Sequence, residues 1–203
     1  MKNLFKKAVI TAVSVMVLMG IGAISASAAT TTVDDFTIDR SKSGYSGPYV
    51  VSVSAYNGKG GAITLPTSAE IDGTVYPITS VGSAFQDNDN VTEVIIPEGY
   101  TEIGLSAFSG STALKKVEIP GSVDMISSSA FLGCNALETV NFAEDTASSL
   151  TINPGAFANC ASLASIALPA RLSTARSNFL YGCDALTSVT MKDGAQNFAA
   201  EDN

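Results

Sequence analysis

A β-rich solenoid is the fold this sequence predicts, with one short parallel strand and one short helical turn in each repeat. Two phrases recurring in phase carry the prediction. The first is an apolar triplet: Val91, Val94 and Ile96, then Leu114, Val117 and Ile119, then Leu137, Val140 and Phe142, then Leu163, Ile166 and Leu168, then Leu186, Val189 and Met191. The steps between them are 23, 23, 26 and 23 residues. The second phrase keeps the same beat as Ala84-Phe85, Ala107-Phe108, Ala130-Phe131, Ala156-Phe157 and a degenerate Phe179-Leu180. Self-similarity with a period of about 20 to 29 residues marks a leucine-rich repeat array. In such an array each repeat buries its apolar face only against its neighbours.

Residues 1–28 stand apart from that fold. Lys2, Lys6 and Lys7 precede an uncharged apolar run from Ala8 to Ile24, and Ala26-Ser27-Ala28 is a small-x-small cleavage site. Together these read as a secretory signal peptide cut after Ala28. A membrane anchor is the competing reading, because the run approaches spanning length; the cleavage site favours the signal peptide.

Residues 29–77 are expected to form a linker and an N-terminal β cap. The polar stretch Thr30 to Asp34 is read as linker, followed by an opening strand near Phe36 to Ile38. Tyr49 to Ala55 alternates β-branched and small residues, which suits a strand. Asn57-Gly58 and Gly60-Gly61 mark turns, Ala62 to Leu65 is a second short strand, and Asp72-Gly73 is a tight hairpin turn. A cap is needed because an end repeat otherwise exposes its core and an unpaired strand edge.

Residues 78–192 hold five repeats of about 23 residues. In each, Leu-x-x-Val-x-Ile alternates inward and outward, as a half-buried strand does. Pro97, Pro120 and Pro169 end three of these strands, having no N–H for the ladder. A second apolar anchor follows as Ile103, Ile126, Ile152 and, weaker, Ala175. The Ala-Phe segment is expected to make one helical turn that points its ring inward, so that Phe85, Phe108, Phe131 and Phe157 stack as a spine. The three extra residues of the long repeat fall between Ala143 and Leu150, where the polar Thr146-Ala147-Ser148-Ser149 should loop out on the surface. The tail, residues 193–203, is expected to fold back so that Phe198 covers the open end of the core.

Composition excludes several functions. Without the leader's three lysines, the 11 basic residues become eight against 19 acidic ones, a formal charge of −11. Nucleic acid and anionic lipid both require a basic surface. The chain has no histidine, which removes Ser-His and Cys-His nucleophile pairs and histidine-based metal sites. No catalytic residue is identified, no cofactor is expected, and the chain is not read as an enzyme. Cys134, Cys160 and Cys183 each lie three residues after the Phe position, in one equivalent slot of three successive repeats. Stacked strands are about 4.8 Å apart, but side chains pointing in parallel make poor bridge geometry. The cysteines are therefore read as a ladder of small, buried, free thiols. Ser111 and Asn88 fill the same slot in the earlier repeats. Asp87-Asn88-Asp89-Asn90 is the one cluster with calcium-like oxygen ligands; the preferred reading is a solvated turn, whose geometry Asn and Asp favour.

The phrase AF-x-GC-x-x-L-x-x-V-x-I-P, best seen in residues 130–140 as AFLGCNALETV, resembles the BspA-like leucine-rich repeat family of bacterial secreted and cell-surface proteins. The resemblance covers about residues 49–192 and departs from the pattern at both ends. It implies a curved solenoid used for adhesion or protein binding, often exported, with no catalytic residues.

The outward positions of the strands should form one continuous face. Its first row begins Thr92, Lys115, Glu138; its second is Glu93, Lys116, Thr139, Ser165, Ser188; its third contains Ile95, Glu118, Asn141 and Thr190. Glu93 beside Lys116 and Lys115 beside Glu138 suggest pairing across strands, worth ~0.2–1 kcal/mol each on an exposed face. The face lacks the Trp and Tyr anchors of tight interfaces. The reading that follows is a monomer, secreted free or associated with the cell surface, that binds a protein or cell-surface ligand on this face. The alternative is a structural spacer, or a remnant of a longer surface protein, without a ligand of its own.

Overall fold

The computed structural model describes residues 29–42, 48–143, 147, 149–192 and 199–200. The leader, and the tail's Phe198, lie outside the described residues. The strands in chain order are β1 Ala29–Val33, β2 Phe36–Lys42, β3 Tyr49–Tyr56, β4 Gly61–Thr64, β5 Ser68–Ile71, β6 Thr74–Pro77, β7 Ser80–Val81, β8 Val91–Ile95 and β9 Glu102–Ile103. They continue as β10 Lys116–Ile119, β11 Met125–Ile126, β12 Thr139–Phe142, β13 Leu150–Ile152, β14 Ser165–Leu168, β15 Leu172–Ala175, β16 Ser188–Met191 and β17 Ala199–Ala200.

Each repeat coils through three sides. The Leu-x-x-Val-x-Ile phrase gives the longer strands β8, β10, β12, β14 and β16. The second anchor gives the short strands β9, β11, β13 and β15, in a parallel ladder that pairs Val81 with Ile103, Ile103 with Ile126, Ile126 with Ile152 and Ile152 with Ala175. This ladder belongs to a nine-stranded sheet running from β1 to β17.

The third side corrects the expected helical turn: among the described residues there is no helix. The Ala-Phe segments are successive tight turns closed by i to i+3 bonds, such as Ser109 N to Ser106 O at 3.1 Å and Ser111 N to Phe108 O at 3.1 Å. The N–H groups between them point along the solenoid to the next repeat. Phe108 N donates to Ala130 O at 2.7 Å, and Gly110 N to Leu132 O at 2.8 Å. Left-handed residues four apart create this alternation: Ser106 and Gly110, Ser129 and Gly133, Gly155 and Asn159, Asn178 and Gly182. A helix would turn every N–H back on its own coil; a residue at positive φ turns alternate N–H groups outward. At Gly110, φ 75°, a side chain would have to displace the exposed Asp87 carboxylate, while Asp87 and Asn159 themselves hold the equivalent left-handed position in other repeats.

The core lies inside this coil. Val94 and Val117, Ile96 and Ile119, and Leu114 and Leu137 are buried. The Phe85, Phe108, Phe131 and Phe157 rings stack with centroids 4.9, 5.0 and 4.9 Å apart and planes within 9°. The spine continues through tilted contacts to Tyr56 and Phe36.

The N-terminal strands depart from expectation in two ways. Thr30 to Asp34, read as linker, mostly belongs to β1, which pairs antiparallel with β2 across the Asp34-Asp35 turn. The threonines and Val33 are β-branched and favour an extended chain whatever their polarity. β4, read as part of the cap, pairs parallel with β8 and so extends the repeat sheet. The hairpin turn at Asp72-Gly73 joins β5 to β6 with both φ positive, at 53° and 76°. Arg40 ties this hairpin to β2 and β3: Nη1 donates to Tyr76 Oη at 2.6 Å, and the guanidinium lies 5.0 and 4.9 Å from the Tyr49 and Tyr76 ring centres. The buried Tyr100 hydroxyl, donating to Pro66 O at 2.7 Å, fixes the following segment to the first repeat.

Candidate functional site

The outward rows assemble largely as the spacing predicts. β8, β10 and β12 run parallel with Glu93, Lys116 and Thr139 in one register row and Ile95, Glu118 and Asn141 in another. β14 and β16 align Ser165 with Ser188, and Ala167 with Thr190. None of Thr92, Glu93, Ile95, Lys115, Lys116, Glu118, Glu138, Thr139, Asn141, Ser165, Ser188 and Thr190 is buried.

The face is not continuous, however. The strand ladder stops between β12 and β14, leaving β4, β8, β10 and β12 in one sheet and β14 and β16 in another. The break falls at the repeat with the three-residue insertion, of which Thr146 and Ser148 lie outside the described residues. Proline removes one bond here, as Pro120 does between β8 and β10 without interrupting that ladder. Ala143 N donates to Ile119 O at 2.9 Å, but Pro169, the residue at the matching position one repeat on, has no N–H to offer Phe142 O. Lys192 Nζ reaches that carbonyl instead, at 2.6 Å. Arg171 bridges the same region from inside. Its side chain is buried and donates to Val123 O and Pro120 O, two repeats back, at 2.5 and 3.2 Å. Neither role is visible in the sequence, because each side chain serves a carbonyl about 50 residues away.

The charges on the first sheet pair within a strand rather than across it. Lys116 Nζ meets Glu118 Oε1 at 2.8 Å, and Asn141 Nδ2 donates to the same oxygen at 3.1 Å. The ion pair and its hydrogen bond raise the Lys116 ammonium and lower the Glu118 carboxyl from their ordinary ranges. Glu93 acts on Lys116 only as a neighbouring charge. On a pleated strand residues two apart share a face, so Lys116 has Glu118 within reach before any partner on β8. At the end of this sheet, Ile95, Ile119, Pro120 and Ala143, with Glu98 and Glu118, line an open pocket of about 310 Å³. Ile95 is 48% exposed.

The remaining candidates have structural employment. Asn88 Oδ1 accepts the N–H groups of Asn90 and Val91, and Asp89 Oδ1 accepts the Thr112 hydroxyl at 2.5 Å. Asp87 supplies a left-handed turn residue at φ 55°. Among the described residues no three His, Cys, Asp or Glu side chains gather where they could hold a metal ion.

The cysteines are free and buried. What spacing alone does not reveal is their bond: Cys134, Cys160 and Cys183 Sγ donate to the carbonyls of Phe108, Phe131 and Phe157, at 3.0, 3.3 and 3.1 Å. Ser111 Oγ makes the same bond to Phe85 O at 2.5 Å. From the second repeat on the slot takes a small donor, which Ser and Cys both supply; in the first, Asn88 turns its Oδ1 to backbone N–H groups instead. Burial pushes the Cys134 thiol up to about 12. Coupling to the neighbouring Cys183, together with burial, raises the Cys160 thiol.

Comparison with known proteins agrees with this architecture. Residues 79–201 match the BspA type leucine rich repeat region in six copies, one more than the five repeats read from the sequence. The match reaches past Lys192 to β17, which returns to pair with β15 as the next short strand of the coil. No curated protein matches the chain. Among solved structures, it is similar to the leucine rich repeat protein of T. pallidum at 26% identity and a TM-score of 0.58, over 79% of this chain and 81% of that one. It is also similar to a leucine rich cell surface protein of Faecalibacterium prausnitzii, at 26% identity and a TM-score of 0.65, over 82% of this chain but 43% of that one. The pneumococcal vaccine antigen PcpA shares the fold, at 23% identity and a TM-score of 0.56, over 82% of this chain and 51% of the antigen. The chain thus spans about half or less of the latter two. By its repeats and the coil they build, the chain belongs to the BspA type leucine-rich repeat family.

Proposed function

We propose that the protein is an exported binding module whose ligand, a protein or a cell-surface component, docks on the outward face of β8, β10 and β12. The observation that carries this reading is the in-register surface of exposed Glu93, Ile95, Lys115, Glu138 and Asn141 around the Lys116–Glu118 pair. It is a mixed-charge patch with an apolar corner. The cell-surface description of the F. prausnitzii relative supports export, as does the basic, apolar, small-residue order of residues 1–28. In this reading β1, β2 and β3 act as the N-terminal cap, continuing the long sheet antiparallel and placing Phe36 and Tyr56 on the end of the aromatic spine. The β14–β16 sheet, beyond the ladder break, takes a smaller part in contact. The module works without catalysis and as a monomer.

The test is retention of extracellular-matrix and cell-wall fractions on the immobilised protein, compared with a Lys115→Ala/Lys116→Ala/Asn141→Ala variant of unchanged melting temperature. Retention by the wild type and loss in the variant is the expected result. Equal retention by both would move the ligand elsewhere on the molecule, and no retention by either would favour the spacer reading.

A further inference from the structure

The tight-turn wall carries a one-way ladder of peptide bonds along the solenoid. At each boundary between coils the N–H groups belong to the earlier coil and the carbonyls to the later one. Ser106, Phe108 and Gly110 donate to the carbonyls of Ser128, Ala130 and Leu132, and Ser129, Phe131 and Gly133 donate to those of Pro154, Ala156 and Ala158. Gly155, Phe157 and Asn159 then donate to Ser177, Phe179 and Tyr181, at 3.2, 2.8 and 2.7 Å. The equivalent donors of the last coil are Asn178, Leu180 and Gly182. Among the described residues no acceptor meets these three N–H groups, and none of the three residues is buried. The wall therefore ends in open donors.

Two features make this end suited to an anion. Peptide units aligned in this way sum as they do along a helix, leaving partial positive charge at the end where N–H groups project. Asn178 and Gly182 hold φ at 59° and 71°, and N–H groups presented by such left-handed alternation form an anion-binding nest. Formal charge agrees: from Leu150 to Lys192 the chain carries Arg171, Arg176 and Lys192 against Asp184 alone, although the chain as a whole is acidic.

The surroundings narrow the anion. Beside the donors, Phe179 and Leu180 are only partly covered and Tyr181 is 69% exposed. An inorganic anion would leave that apolar surface in water. The last residue of a polypeptide would not, because its side chain branches from the carbon that bears the carboxylate. Capture of a chain terminus in a backbone nest is a recurring mode of peptide recognition.

We propose that the C-terminal end of the tight-turn wall captures the terminal carboxylate of a partner polypeptide. The N–H groups of the Asn178–Gly182 turn hold the carboxylate, and an apolar last side chain lies on Leu180 and Tyr181. The site is separate from the face of β8, β10 and β12 and stands or falls without it.

The probe is acetyl-Gly-Gly-Gly-Leu with a free carboxylate, titrated into the isotope-labelled full chain and followed by amide shifts. The amide protons of Asn178, Leu180 and Gly182 should move downfield and saturate together, since they gain a charged acceptor. The same peptide ending in a carboxamide should bind about tenfold more weakly. Acetyl-tetraglycine with a free carboxylate should also bind more weakly than the leucine peptide, and Tyr181→Ala should narrow that difference without changing the melting temperature. Equal response to the acid and carboxamide peptides, or to the leucine and glycine ends, would overturn the proposal. So would saturable shifts centred away from these three amides, or none at all. Shifts of the same amides on Glu201→Gln/Asp202→Asn, in a chain that ignores the peptide, would assign the nest to the chain's own tail and equally overturn it.

Discussion

Replacing Phe131 by alanine should be among the most damaging single changes in the described solenoid. The ring has no solvent exposure and lies between two others, 5.0 Å from Phe108 and 4.9 Å from Phe157, with planes 1° and 2° from parallel. Buried Phe→Ala changes cost ~3–5 kcal/mol, with the loss growing as the surroundings fail to collapse into the gap. Collapse is hard here. Phe108 N is bound to Ala130 O and Phe131 N to Ala156 O, each at 2.7 Å, so the flanking turns are held at fixed spacing by backbone bonds. Two ring contacts, each worth ~0.5–1.5 kcal/mol beyond area burial, are lost together. We therefore expect the upper half of the range, ~4–5 kcal/mol, against a total of ~5–15 kcal/mol for a domain. Phe131→Leu, which copies Leu180 of the last full repeat, should cost far less because most of the volume stays. Urea unfolding, followed by circular dichroism and tyrosine fluorescence, measures both. A drop in slope as well as midpoint would show that the array has separated into two units at the cavity, as nearest-neighbour stabilisation allows. A Phe131→Ala midpoint equivalent to less than ~1 kcal/mol of loss would refute the fixed-spacing argument.

Four further outcomes are expected. Cys134→Ser should be nearly neutral because Ser111 already makes the equivalent bond, whereas Cys134→Ala should cost ~1 kcal/mol; Phe108 O keeps its bond from Ser111 N, and thermal melts of the two variants decide it. Stability should be full below pH 9 and fall as pH rises towards 12, since burial raises Cys134 in the folded chain from 9.0 to about 12 and the unfolded thiol ionises first; urea midpoints across that range should show a shallower slope in Cys134→Ser. Ser129→Gly should stabilise by ~0.5 kcal/mol, because Ser129 sits at φ 57° where the next repeat has Gly155 and relief of ~1–2 kcal/mol is partly offset by glycine's entropy; a loss in denaturant titration would contradict this. Protein recovered from culture medium should begin at Ala29 on N-terminal sequencing, and an intact chain in the membrane fraction would count against export.

The strands and core were legible because burial in a stacked coil repeats itself in the chain. Val94, Val117, Val140 and Ile166 occupy one inward row, and the sequence cannot hide a row that every repeat must fill. The phenylalanine spine and the cysteine slot follow for the same reason. The turns were misread because hydrophobic spacing is silent on the sign of φ: Ser106 and Ser129 carry no Gly or Asn signal, though Gly155 and Asn178 at the same place do. β1 is hard to read because its threonines are polar and yet β-branched, so polarity and strand propensity point opposite ways. On the candidate face, residue positions were legible from alternation, but the Lys116–Glu118 pairing and the roles of Arg171 and Lys192 depend on three-dimensional reach. The pocket went unseen because Glu98 lies beyond the strand phrase and joins Ile95 and Ala143 only when three coils are stacked.

The missing strand ladder between β12 and β14 has a mechanical consequence. In a coil of this kind the backbone bonds run along the long axis, so a pull on the two ends loads successive coil boundaries in series, and the weakest yields first. At most boundaries three walls share the tension. At this one the outer wall contributes the Lys192 strut and side-chain packing, Arg171 adds its two bonds from inside, and the β13 side and the tight turns bear the rest. Stretching between residues 29 and 192 should therefore part the molecule into an N-terminal piece that carries β8, β10 and β12 intact and a C-terminal piece that unravels. The surface proposed to hold the ligand lies on the side of the fracture that survives.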